Sequence, residues 1–182
     1  EDTVYLTTAD SDGMMVSFIQ SNFRAFGSGI VIPGTGISMQ NRGSGFSLDP
    51  AHANCVGPGK RPFHTIIPGF VTQGGRPVLS FGVMGGHMQH QGHLQMVSRI
   101  FDFGQNPQEA SDAPRWHVYP DLTVGLERGM PQSVFDGLKA RGHDVRYDRL
   151  ESVFGGAQLI QSLASGYVGA SDHRKEGYVG GF

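Results

Sequence analysis

With one cysteine, Cys55, in 182 residues, the chain can close no internal disulfide and has no cysteine cluster to seat a metal. Charge is sparse and nearly balanced. The 14 Lys+Arg against 16 Asp+Glu leave a net of −2, and no basic block is present to follow a phosphate backbone, which argues against nucleic acid as a partner. No apolar run approaches the roughly 20 residues a membrane helix needs. Glycine, by contrast, is plentiful: 28 residues without a fixed period, punctuating short strands rather than marking a repeat. The 38% hydrophobic content can supply one real core.

Thr3 to Asp10 and Met14 to Gln20 are rich in β-branched and apolar residues around Ser11-Asp12-Gly13, which predicts a hairpin. Gly29 to Ile37 reads as a short strand broken by Pro33-Gly34, and 41–62 as loop. Phe63 to Thr72 and Arg76 to Met84 read as a second hairpin across Gly74-Gly75. From His87 to Phe103, Met88, Leu94, Met96, Val97, Ile100 and Phe101 recur at helical spacing, with Gly104 as the stop. Short helices are expected from Pro107 to Asp112 and, after Pro131, on the apolar face Val134, Phe135 and Leu138. Val145–Leu150, Ala157–Leu163 and Tyr167–Ala170 are the remaining strands. Strands at both ends with helices between indicate a layered α+β design.

Gly85-Gly86 closes the apolar run Val78 to Met84 and opens the helical stretch. Two glycines there turn two backbone N–H groups toward a ligand without side-chain obstruction, as an oxyanion hole requires, although a tight strand-to-helix turn accounts for them equally. His87, His90 and His93 lack an acidic companion at ligand spacing, so no metal site is assigned. His87 is expected to begin the helix and His93 to satisfy its neighbours. Trp116-His117 is read as a packing and hydrogen-bonding corner.

In order along the chain, Thr3 to Asp10, Phe26-Gly27-Ser28-Gly29, Lys60-Arg61-Pro62, Gly85-Gly86, Ala113-Pro114-Arg115 and Gly169 to Arg174 resemble the small subunit of γ-glutamyltranspeptidases and the related cephalosporin acylases. These are N-terminal-nucleophile hydrolases. The resemblance implies that 1–182 is a single catalytic small-subunit domain, with an αββα four-layer sandwich completed by a separate large subunit and no cofactor. Autoproteolysis of a precursor would then occur at Asp2–Thr3. A chain beginning this close to such a point is expected to have lost what preceded it, which leaves the compartment open.

Thr3 occupies the place of the family's nucleophilic threonine, whose freed α-amine serves as its own base. Gly85 and Gly86 correspond to the oxyanion donors. Ser21 corresponds to a threonine whose hydroxyl touches the nucleophile. Phe23 stands where transpeptidases have a substrate-binding asparagine, Arg42 where they have a glutamine, and Gly45 where an aspartate holds the glutamyl ammonium. His64-Thr65 replaces a Ser-Ser pair at the α-carboxylate. Loss of the aspartate removes the charge-assisted bond that selects an ammonium, while Arg42 offers a carboxylate a bidentate partner. Only 13 residues separate Phe46 from Lys60, which implies a cleft without a long lid. Three functions follow as expectations: a γ-glutamyl amide hydrolase or acyltransferase, a glutaryl or cephalosporin acylase, and an unprocessed, non-catalytic binding or assembly protein.

Overall fold

The computed structural model describes residues 3–182. β1 (Val4–Ala9) and β2 (Met15–Gln20) form an antiparallel hairpin. Its turn is closed by Asp10, whose Oδ1 accepts the N–H groups of Asp12 and Met14 at 3.0 and 2.9 Å. The two-residue alternation sends Tyr5, Met15 and Ile19 to one buried face and leaves Val4, Leu6, Val16 and Phe18 exposed on the other.

A four-stranded antiparallel sheet lies against the buried face. It runs in the order β3 (Gly69–Gln73), β4 (Arg76–Met84), β8 (Gly156–Ser162), β9 (Tyr167–Ser171). Its far side carries the main core, in which Leu79, Phe81, Val83, Ala157, Leu159 and Ala170 pack against Met96, Ile100 and Ala110 of the helical layer. That layer is α1 (Gln89–Val97), a π-helical turn at Ser98–Asp102 and α2 (Pro107–Asp112). Asn106 caps α2 in a reciprocal box with Glu109, and Pro107 occupies the first turn. Hairpin, sheet and helices thus stack as two β layers under one α layer.

A third sheet joins β5 (Trp116–Val118), β6 (Val124–Leu126) and β7 (Val145–Tyr147), the last pair parallel and connected through α3 (Gln132–Ala140).

Several expectations need correction. The helix read from His87 to Phe103 is three pieces, a 3₁₀ turn at Gly86–Met88, then α1, then the π turn. Leu94 and Phe101 are exposed, whereas Gln89, His93 and Gln95 are buried, His93 and Gln95 because they make hydrogen bonds on the inner face of α1. The strand expected from Phe63 begins only at Gly69, after Pro68, a residue that cannot donate to a ladder. Gly29 to Ile37 belongs to a two-stranded finger bridged at Val31 and Ser38.

β5 and β6 were not anticipated. The outer edge of β5 is covered by side chains of α1: Gln95 exchanges two hydrogen bonds with the backbone of Trp116, and Gln91 two with that of Val118. The Trp116-His117 corner is therefore a strand edge, with the His117 ring 4.4 Å from that of Tyr119.

Candidate active site

Stepwise contacts between β1 and β4 locate Thr3. Thr7 Oγ1 donates to Ser80 Oγ at 2.6 Å. Two residues back along β1, the Tyr5 ring lies on the bare backbone of Gly82, where an added Cβ would come 2.5 Å from Cε2. Thr3, two residues further back along β1, lines a groove of about 390 Å³ together with Met84. Gly85 and Gly86 follow Met84 directly.

Gly85 has φ 143° and Gly86 φ 58°, backbone settings that L side chains rarely adopt. The Gly85 carbonyl accepts the Met88 N–H at 3.0 Å to close the 3₁₀ turn. No backbone or side-chain acceptor among the described residues takes the N–H of Gly85 or Gly86.

Ser21 falls opposite Thr3 when the register Val4–Gln20 is extended by one pair. Its Oγ accepts the Phe23 N–H at 2.8 Å, which leaves the hydroxyl proton to donate elsewhere. The other walls of the groove are β8 at Gln158, Leu159 and Ile160 and the returning tail from Lys175 to Gly180. Glu1 and Asp2, and with them the expected scission point, lie outside the described residues.

A second cluster gathers other expected site residues, none of which lines that groove. Phe23, held at φ 76°, has the guanidinium carbons of Arg42 and Arg24 at 5.1 and 5.6 Å from its ring centre. Partial burial lowers the pKa of Arg42. Gly45 lies in a 3₁₀ turn from Arg42 to Gly45, and a Cβ there would come 2.8 Å from the carbonyl oxygen of Phe63. Asn54 ties the two segments together: its Nδ2 donates to the Gly45 carbonyl at 2.6 Å, and its Oδ1 accepts the Phe63 N–H at 3.0 Å. Phe63 in turn stacks on His87 at 6.2 Å between ring centres, joining this cluster to the glycine turn. Thr65 is buried. His64 is exposed, its Nδ1 accepting the Ile66 N–H at 3.2 Å, and among the described residues no hydrogen bond connects His64 or Thr65 with Arg42 or Thr3.

Behind the glycine turn lies an ionic network that sequence reasoning missed. Arg115 is fully buried, pairs with Asp172 at 2.5 Å and donates to the Phe154 carbonyl at 2.8 Å. Arg174 joins Asp172 to Glu127. Burial pushes the Asp172 carboxyl up, but Arg115, the Ala157 and Arg174 amides and the Arg174 side chain outweigh it and hold the group below the usual range. The sequence signal was confined to Ala113-Pro114-Arg115 and Asp172-His173-Arg174, whose charges meet across 57 positions.

Gamma-glutamyltranspeptidase is the family whose pattern matches residues 1–182. The chain is 39% identical over 97% of its length to the glutathione hydrolase-like YwrD proenzyme of Bacillus subtilis (strain 168). It is 36% identical over its full length to the oxamate amidohydrolase proenzyme of Klebsiella pneumoniae. It spans about a third of those relatives, 35% and 36%. The crystal structure of cephalosporin acylase from Bacillus halodurans superimposes with a TM-score of 0.91 at 51% identity, over 97% of this chain and 33% of that one. Sequence and architecture together make this chain a member of the γ-glutamyltranspeptidase family, with the α+β fold of the N-terminal-nucleophile hydrolases.

Proposed function

We propose that residues 1–182 form the catalytic small subunit of an autoprocessed amide hydrolase or acyltransferase, with Thr3 as its nucleophile. The observation that supports this reading is that Thr3 and Met84 line one groove, and that Met84 directly precedes two glycines whose amides meet no acceptor among the described residues. Once the bond before Thr3 is cut, its α-amine, with an ordinary pKa of about 7.7–8.0, takes the proton from Oγ1 as the oxygen attacks an amide carbonyl. The N–H groups of Gly85 and Gly86 receive the developing oxyanion. Collapse passes the proton to the departing amine and leaves an ester on Thr3, which water or an acceptor amine then cleaves. Ser21, across the hairpin, orients the nucleophile.

The acyl group proposed is a carboxy-acyl group without an α-amine, such as glutaryl, rather than γ-glutamyl, with Phe23, Arg42, Gly45, His64 and Thr65 lining its pocket. Two features support this: Arg42 presents a cation beside Phe23, and the contact of Gly45 with the Phe63 carbonyl leaves no room for the aspartate that would hold an ammonium. Two relatives, an oxamate amidohydrolase and a cephalosporin acylase, bear names that agree with an acyl side unlike glutamate.

The partner proposed is a large subunit from the same precursor. It would cover the outer face of β1–β2 and the finger that exposes Ile30, Val31 and Ile37. No helix among the described residues is long and apolar enough to cross a membrane.

The test is Edman sequencing or intact mass of active protein, with glutaryl-p-nitroanilide and γ-glutamyl-p-nitroanilide assayed side by side. A new terminus at Thr3 and faster glutaryl hydrolysis are expected. An active preparation that retains Glu1-Asp2, or a Thr3→Ala variant that turns over normally, overturns the nucleophile. Efficient γ-glutamyl transfer to a dipeptide overturns the acyl preference.

A further inference from the structure

We infer that hydroxyl contacts buried between the two sheets are positioning elements of the active site, fixing how far Thr3 sits along β4 relative to Gly85 and Gly86. This rests on the reading of Thr3 as nucleophile and adds residues to which that reading gives no role.

Face-to-face sheets are joined mainly by non-directional apolar contact, which resists sliding weakly. This interface has directional bonds in it. Ser80, fully buried, accepts from Thr7 Oγ1 at 2.6 Å and donates to the Val16 carbonyl at 3.1 Å, so one side chain of β4 holds both strands of the hairpin. Next to it, Tyr5 Oη and Ser17 Oγ share a hydrogen bond at 2.7 Å, and Ser17 Oγ reaches the Phe81 carbonyl at 3.4 Å. The Tyr5 ring occupies the notch at Gly82, and the next residues on that face of β4, Ser80 and Met84, carry side chains that leave no such notch. A slide would leave buried hydroxyls unpaired and drive the ring into a side chain, so a single register is favoured. In that register the series Thr7 over Ser80 and Tyr5 over Gly82 leads back to Thr3, which shares its groove with Met84 at the threshold of the glycine turn.

The residue that tests this is Thr7, where valine removes the hydroxyl at constant shape and serine keeps it. In the full-length precursor and its processed form, three quantities are measured: the rate of cleavage before Thr3, kcat and KM on the faster of the two anilides, and thermal midpoint. Thr7→Val is expected to lower kcat and self-cleavage by about 10- to 100-fold with KM within about twofold, the signature of a displaced nucleophile, and Thr7→Ser to recover most of the loss. Parental kcat in Thr7→Val, or an equal loss in Thr7→Ser, overturns the inference. If Thr7→Val does not accumulate folded, Ser17→Ala, which removes the hydroxyl shared by Tyr5 and the Phe81 carbonyl, decides by the same split: kcat should fall with KM nearly unchanged, and a parental kcat overturns the inference. Thr3→Ala is run alongside. An inactive Thr3→Ala beside a fully active Thr7→Val sinks the positioning role alone, and an active Thr3→Ala sinks both.

Discussion

Gly85 and Gly155 meet main chain to main chain, such that a Cβ on Gly85 would stand 2.9 Å from the Gly155 Cα. The turn that holds the Gly85 and Gly86 amides therefore rests on a second backbone segment, whose preceding carbonyl, that of Phe154, is held by Arg115. Gly85→Ala should reduce kcat by about 10²–10³, the loss associated with one misplaced oxyanion donor, and leave KM within a few fold. Steady-state kinetics on the processed enzyme check this, and an unimpaired kcat would exclude the turn from transition-state binding.

Asp172 receives donors from Arg115, Ala157 and Arg174. Asp172→Asn removes the charge and leaves Arg115 buried without its counter-ion, a loss of about 3–5 kcal/mol for a broken buried pair. Chemical denaturation of the assembled protein should show this as a lower midpoint at unchanged slope. Replacement of the exposed partner in the His173–Asp112 pair, by Asp112→Asn, should move the midpoint hardly at all.

His93 makes stability depend on acidity. Burial, reinforced by His90, lowers its pKa from the ordinary 6.5 to about 4, and its Nε2 accepts the Val83 N–H at 3.1 Å, a bond only the neutral ring can make. Between those two values the unfolded chain binds more protons than the folded one, so stability is complete above about 6.5 and declines as pH falls toward 4. The integrated effect is on the order of 3 kcal/mol. Denaturation midpoints measured across pH 4–7 should fall on acidification, and His93→Gln should flatten that slope while lowering stability at pH 7.

Arg42→Ala should raise KM for a glutaryl anilide by about 10-fold or more, the scale of a lost charge-assisted contact, with little effect on a butyryl anilide, which lacks the distal carboxylate. Arg42→Lys should restore only part of the affinity, because a point charge does not reproduce the planar fork. Equal effects on both substrates would mean that Arg42 does not read the acyl carboxylate.

Legibility in the sequence followed the range of the interactions. The β1–β2 hairpin was readable because its alternation and its Asp10–Gly13 turn are local, and α2 because its cap and proline adjoin it. β5 and β6 were not, since three residues each leave no period and the edge of β5 is satisfied by Gln91 and Gln95 from a distant helix. Ser80 looked like one polar residue in an apolar strand. Its partners Thr7 and Val16 lie 73 and 64 positions away, and nothing local announces them. The likeness to a known family supplied the candidate roles of Thr3, Gly85 and Gly86, whereas the hydroxyl contacts between β1–β2 and β4 became visible only in three dimensions.

Phe23 keeps a positive φ that an asparagine adopts more readily than a phenylalanine. An asparagine there would relax the main chain. At Gly45 the opposite holds, because any side chain must first displace the segment of residues 62–64 that Asn54 fastens to it. The backbone thus accepts the exchange to asparagine at one position and opposes the exchange to aspartate at the other, and swapping side chains alone would not carry both.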